Sequence, residues 1–175
     1  DKPFTQFKRA KVPDGVHYAG FTEYEEGVAM PVAFPAQKIT TRLGEILSQH
    51  GKRQLRIAET EKYAHVTYFF NGGVVAPYEG EDRTIVPSKN VRSYAEVPAM
   101  SAPEVNEKLL AAVEYGQYDF ILVNYANPDM VGHTGDFKAA IKALETTDEC
   151  LSRLIAAVLD KGGCLLVTAD HGNIE

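Results

Sequence analysis

Four side chains late in the chain have types and spacings that could do chemistry: Asp129, His133, Asp170 and His171. Asp129 and His133 are four positions apart, so one helical turn after Pro128 would point both the same way. A carboxylate oxygen with an imidazole nitrogen suits Mn²⁺ or Zn²⁺ better than Ca²⁺ or an oxygen-preferring Mg²⁺. Asp170 and His171 are adjacent, which on a regular strand would send them to opposite faces. In a bend where a strand stops, both can reach ions, and those ions can differ. A single Asp-His pair at a strand end reads as a turn with a capping carboxylate. Two such pairs, each near a glycine (Gly132 and Gly172), make a metal centre the stronger reading. Four ligands do not complete two ions, so the remaining ligands must come from water, substrate or further chain.

A second candidate is the charged run Glu59-Thr60-Glu61-Lys62-Tyr63. A lysine near a metal centre is a point-charge partner for phosphate, although by residue type alone the run reads rather as a solvated charged turn. His17, His50 and His65 have no partner pattern and read as core-edge or surface residues. Gly72-Gly73 reads as a turn, because no phosphate-loop context surrounds it. Cys150 and Cys164 are too few for a disulfide framework or a zinc cluster and read as core thiols.

These residues need elements to position them. Val16 to Phe21 is the best strand near the start, and Pro31 to Pro35 resembles a linker, placing a boundary near residue 36. Thr41 to His50 has helical spacing at Leu43, Ile46 and Leu47, with Gly51 as its stop. Gln54 to Ala58 is a short strand. Lys62 to Phe70 fits helix or strand and ends at Asn71-Gly72-Gly73. Asp82 to Pro98, containing Thr84-Ile85-Val86, reads as a β excursion or exposed loop.

Ser101-Ala102-Pro103-Glu104 has the form of a capped helix start, and that helix runs to Tyr115 before Gly116. Tyr118 to Tyr125 is a nearly continuous apolar strand. Asp136 to Lys161 is a long helix with Phe137, Ile141, Leu144, Leu151, Leu154, Ile155 and Val158 on one stripe, closed by Gly162-Gly163. Cys164 to Thr168 is a second apolar strand.

Helices alternating with strands that are apolar throughout imply a parallel sheet buried under helices on both faces. In such sheets ligands bind beyond the carboxyl ends of the strands. Both Asp-His pairs follow strands at that end, and a right-handed crossover would bring them together.

The length of 175 residues suits one domain with, at most, a piece of another. With 45% hydrophobic and 24% charged residues, the chain can bury a real core. A net charge of −6 without blocks of like charge argues against nucleic acid or an anionic membrane as partner. No apolar run is long enough to span a bilayer. The first residues open without Met and the last stop just after a motif, so the chain reads as a piece of a longer protein.

Several long stretches closely resemble the cofactor-independent phosphoglycerate mutases. They are Asn124 through His133, Thr168 through Asn173, and Glu59 through Gly73; Gly80-Glu81-Asp82-Arg83 and Met100 through Val105 match as well. The resemblance implies an alkaline phosphatase-like α/β fold, a mostly parallel sheet sandwiched by helices, present here as a partial domain. Residues 1–36 would be the tail of the transferase domain plus hinge, and residues 37–175 part of the metal-binding phosphatase domain. It further implies an isomerase interconverting 3-phosphoglycerate and 2-phosphoglycerate through a phosphoserine, without 2,3-bisphosphoglycerate.

Two divalent ions, usually Mn²⁺, serve that family. Asp129 and His133 would hold one, Asp170 and His171 the other, and Lys62 would contact the transferring phosphoryl group. The implied partner is a small molecule, and the implied setting a cytoplasmic monomer in glycolysis and gluconeogenesis. The nucleophilic serine and early Asp ligand of the family, a further His ligand and the substrate-gripping arginines have no match here; Ser88, Ser93 and Ser101 lie in loop or cap contexts. The chain by itself is therefore expected to be inactive. The alternatives are another phosphomutase or phosphatase of the superfamily, or a non-catalytic α/β scaffold.

Overall fold

The computed structural model describes residues 7–8, 10–11, 15–23, 30–35 and 39–174. The chain divides into two compact units, Asp1–Thr40 and Thr41–Glu175. Among the described residues of the first, no strand forms over 16–21; a parallel bridge joins Gly20 to Val32, with Gly20 N–H donating to the Pro31 carbonyl at 3.0 Å. The boundary expected near residue 36 falls outside the described residues.

The second unit is built on three parallel strands. β1 (Gln54–Glu59) lies between β2 (Glu81–Val86) and β3 (Phe120–Asn124), with Ala58 in register with both Ile85 and Asn124. All six residues of β1 are buried, as a central strand covered on both faces requires. Its alternate side chains meet different partners. Leu55 and Ile57 pack with Val86, Val105, Leu109 and Leu154, which joins the sheet to helices α2 (Ala102–Tyr115) and α4 (Phe137–Asp160).

The opposite face is polar at its centre. The Gln54 amide donates to the Gly44 carbonyl of α1 (Leu43–Gln49) at 2.9 Å. Arg56 is wholly buried between the rings of Phe70 and Phe120, 4.7 and 5.2 Å from their centres. Burial lowers its guanidinium to about 10, and its Nε and Nη1 have no hydrogen-bond partner.

Several expected elements differ in character. The ambiguous segment from Lys62 to Phe70 is helical, a tight turn over Thr60–Lys62 leading into a wide-pitched one over His65–Phe69. The β excursion is a sheet strand, β2. The expected Ser101 cap does not form: its hydroxyl donates to the Pro87 carbonyl at 2.8 Å instead, and α2 still ends at Gly116, in the left-handed region at φ 64°.

The buried face of α4 follows the expected stripe only towards its end, where Leu154 is buried and Val158 packs against the core. Ala139, Ala143, Thr146, Cys150 and Leu154 are buried, whereas Phe137, Ile141, Leu144 and Ile155 are exposed. Small residues let α4 approach α3 (Asn127–Gly132) closely enough for Asn127 to donate to the Ala143 carbonyl at 2.9 Å.

Residues 164–168 are not a strand: they pair with no described strand, and Leu166 and Val167 are exposed. Cys164 is accordingly an exposed thiol, while Cys150 is the expected core one. No helix among the described residues is long and apolar enough to cross a membrane.

Candidate metal centre

The carboxyl ends of β1 and β3 supply the site. β1 stops at Glu59 and passes into the turn that carries Lys62; β3 stops at Asn124, and three residues later α3 begins at Asn127. Pro128 in the first turn of α3 presets the helical φ. Asp129 and the C-capping residue His133 then fall one turn apart, with His133 Nε2 3.2 Å from Asp129 Oδ1. Asn127 holds this helix in place, since its Oδ1 also accepts from the Thr147 hydroxyl at 3.2 Å.

The last described segment returns to the same place. The Asn173 amide donates both to the Asp129 carboxylate and, at 3.1 Å, to the Asp129 backbone carbonyl. Gly132 permits this approach, because a Cβ there would lie 2.8 Å from Asn173 Oδ1. His171 Nε2 sits between the carboxylates, 3.8 Å from Asp129 Oδ2 and 3.9 Å from Asp170 Oδ2. All four expected ligand-type residues thus come together although Cys164 to Thr168 forms no strand.

Lys62 is the buried centre of the group. Its side chain is 4% exposed, with Nζ 2.6 Å from Asp129 Oδ2 and 3.6 Å from Asp170 Oδ2. The solvated-turn alternative fails at Glu59 and Lys62, which are buried, and holds for Thr60 and Glu61, which are exposed. Partial burial penalises the Asp129 carboxylate, but hydrogen bonds from Lys62 and Asn173, with the charge of Lys62, outweigh it and hold the carboxyl below its ordinary value.

Residue type alone passed over two members of the site. His65 Nε2 lies 3.9 Å from Asp170 Oδ2, with its ring edge-on to Phe69; burial, then the Lys62 charge, push its pKa down. The signal for it was its position three residues after Lys62, on the same helical face. Asn173 closes the Thr168 through Asn173 stretch, where its residue type alone assigns it no role.

Carboxylates paired with accessible imidazoles are a donor set that suits a borderline divalent cation. A lysine ammonium already stands where two carboxylates converge, so a cation fits the electrostatics. Among the described residues, no three His, Cys, Asp or Glu side chains close around one point. The residues therefore fit an open centre of paired ligands that water, substrate or other chain would complete, not a closed structural site.

The fold is an α/β one on a parallel sheet, and the chain belongs to the metalloenzyme superfamily, whose profile matches residues 20–175. It is 54% identical over 172 residues to the 2,3-bisphosphoglycerate-independent phosphoglycerate mutase of Nitrosococcus oceani, covering 98% of this chain and 33% of that protein. With the protein of the same name from Desulforudis audaxviator it shares 55% identity over 175 residues, 100% of this chain and 34% of that one. The chain spans about a third of the length of the curated relatives it matches. Among solved structures, a Leishmania mexicana phosphoglycerate mutase crystallised at low cobalt concentration matches 99% of this chain and 32% of its own, with TM-score 0.78 and 38% identity. The parallel sheet between helices is the alkaline phosphatase-like arrangement implied by the motifs.

Proposed function

We propose that this chain supplies the metal-binding and phosphoryl-contacting part of a cofactor-independent phosphoglycerate mutase. In this reading the longer protein interconverts 3-phosphoglycerate and 2-phosphoglycerate through a phosphoserine, without 2,3-bisphosphoglycerate. The observation that carries it is the convergence of Asp129, Asp170 and the buried Lys62 at the carboxyl edge of the sheet. The high identity to mutases along nearly the whole chain supports it.

Asp129 with His133 would hold one ion, and Asp170 with His171 the other. Mn²⁺ is the ion we propose, because a mixed oxygen and nitrogen donor set favours it over Mg²⁺. A pair of such ions lowers the pKa of a serine hydroxyl and neutralises phosphoryl oxygens. Lys62, whose side chain is 4% exposed, would bring a further positive charge to the phosphoryl group. Asn173 and the α3–α4 contact orient Asp129. His133 and His171, both partly open to solvent, leave room for substrate.

Residues 1–36 are proposed as the tail of a transferase domain plus hinge, and residues 37–175 as part of the phosphatase domain. A small-molecule substrate, a monomeric parent and a cytoplasmic setting in glycolysis and gluconeogenesis complete the reading. The 175-residue chain alone should not turn over, since neither ligand pair is closed among the described residues and no serine in it is matched to the nucleophile.

Asp129→Asn and Asp170→Asn in the longer protein test the proposal. Conversion of 3-phosphoglycerate in the presence of Mn²⁺ and absence of 2,3-bisphosphoglycerate should collapse while the fold persists by circular dichroism. Full activity in either variant would overturn it.

A further inference from the structure

The geometry points to Lys62 as the residue that sets how tightly the Asp129–Asp170 centre takes a divalent cation: its ammonium is the competing occupant and must give way when the ion enters. This rests on the metal-centre reading above and extends it to a role for Lys62 before any phosphate arrives.

Lys62 Nζ lies 2.6 Å from Asp129 Oδ2 and 3.6 Å from Asp170 Oδ2, within contact of two carboxylates proposed to serve different ions. With its side chain 4% exposed, this contact is screened little by water. The root of the lysine is fixed. Ser88 binds three consecutive residues of the preceding turn: its hydroxyl donates to Glu59 Oε2 at 2.9 Å and accepts from Glu61 N–H at 3.3 Å, and its N–H donates to Thr60 Oγ1 at 3.1 Å. The Tyr94 hydroxyl adds a bond to Glu61 Oε1 at 2.7 Å. Adjustment is therefore confined to the lysine stem, and the ammonium and an incoming ion must compete for the same oxygens.

A divalent ion held by Asp129 would be repelled by the ammonium if Lys62 stayed. Ion entry is thus an exchange of cations on Asp129 and Asp170. The displaced ammonium becomes available to an anion beside the ion, so metal and phosphate binding should favour one another, reciprocally.

The test is Mn²⁺ binding by this chain, followed by paramagnetic resonance and calorimetry, for wild type, Lys62→Met, Lys62→Arg and His133→Ala. Lys62→Met keeps the bulk without the charge and should bind Mn²⁺ about tenfold or more tighter than wild type. Lys62→Arg, which keeps the competing charge, should stay within about threefold of wild type. His133→Ala should weaken binding and so reports on the centre itself.

Equal or weaker binding by folded Lys62→Met, with wild type binding and His133→Ala impaired, overturns the inference and leaves the metal centre standing. No Mn²⁺ uptake by either wild type or Lys62→Met at millimolar ion overturns the metal-centre reading and the inference with it. Should Lys62→Met fail to fold, the Lys62 Cε resonance of wild type decides during titration with diamagnetic Zn²⁺. It should move in step with saturation, and an unmoved resonance at saturation refutes displacement.

Discussion

Glu59 ends the central strand fully buried, and its carboxyl is pushed above the ordinary range by desolvation, against the opposing hydrogen bonds from Ser88 and the Ser101 N–H. The perturbation that isolates this effect is Glu59→Gln. The amide oxygen can accept from the Ser101 N–H as Glu59 Oε1 does at 3.4 Å, and the NH₂ can donate to the Ser88 oxygen after the hydroxyl turns. Both bonds survive while the buried charge is removed.

Because the folded pKa is raised, the wild type is favoured while both states are protonated. It loses that advantage as pH climbs from the unfolded value through the folded one. Each unit of elevation is worth about 1.4 kcal/mol at pH above both values. Glu59→Gln should therefore match wild type near pH 4 and exceed it in stability near pH 7.5. Urea unfolding at several pH values, read as the difference between variant and wild type, cancels the titration of every other shared group. A variant less stable than wild type at pH 7.5, or a difference that does not change with pH, would refute the reasoning.

Arg56→Met should cost about 1–2 kcal/mol, because it fills the space between Phe70 and Phe120 but leaves the buried Gln54 Oε1, which accepts from Arg56 Nη2, without its partner; Arg56→Ala should cost about 3 kcal/mol or more by also opening a cavity there. Chemical denaturation of both variants separates packing from charge. Asp129→Asn in the metal-free chain should cost about 2 kcal/mol at neutral pH, since it leaves the Lys62 ammonium with only the more distant Asp170 carboxylate. For wild type, the stability contributed by Asp129 should be present above the unfolded pKa and lost as pH falls through its lowered folded value, which acid unfolding of wild type against Asp129→Asn checks. Gly132→Ala should push Asn173 off Asp129 and weaken Mn²⁺ binding about tenfold with a small loss of stability; calorimetry and a thermal melt measure both.

Where local spacing governs structure, the residues themselves were sufficient guides. The i, i+4 relation of Asp129 and His133 after Pro128 becomes one turn of α3, and the apolar Phe120-Ile121-Leu122-Val123 becomes β3. Tertiary contacts decided the rest. The helical period of α4 identifies two faces, and the apolar weight of Phe137, Ile141 and Leu144 favours the wrong one; close packing on α3 selects Ala139 and Ala143 instead. Cys164 to Thr168 has the composition of a strand, but pairing needs a neighbour, and no described strand offers one.

The same limit applies to the site. Asp129, His133, Asp170 and His171 were found by type and spacing, whereas the depth of Lys62 was not. A charged run such as Glu59-Thr60-Glu61-Lys62 looks solvated until Ser88 and Asp129 come from distant positions to partner it. His65 is legible only through its spacing from Lys62, because the carboxylate it meets, Asp170, is 105 positions away but 3.9 Å distant in space.

The central claim is that Asp129, His133, Asp170 and His171 hold divalent ions. Mn²⁺ titration of the 175-residue chain, compared with Asp129→Asn and Asp170→Asn, addresses it most directly. The account predicts weak, saturable binding by wild type that falls about tenfold or more in each variant while the helical signal persists. Saturable binding of equal affinity in wild type and both variants would place the ion elsewhere and contradict the claim.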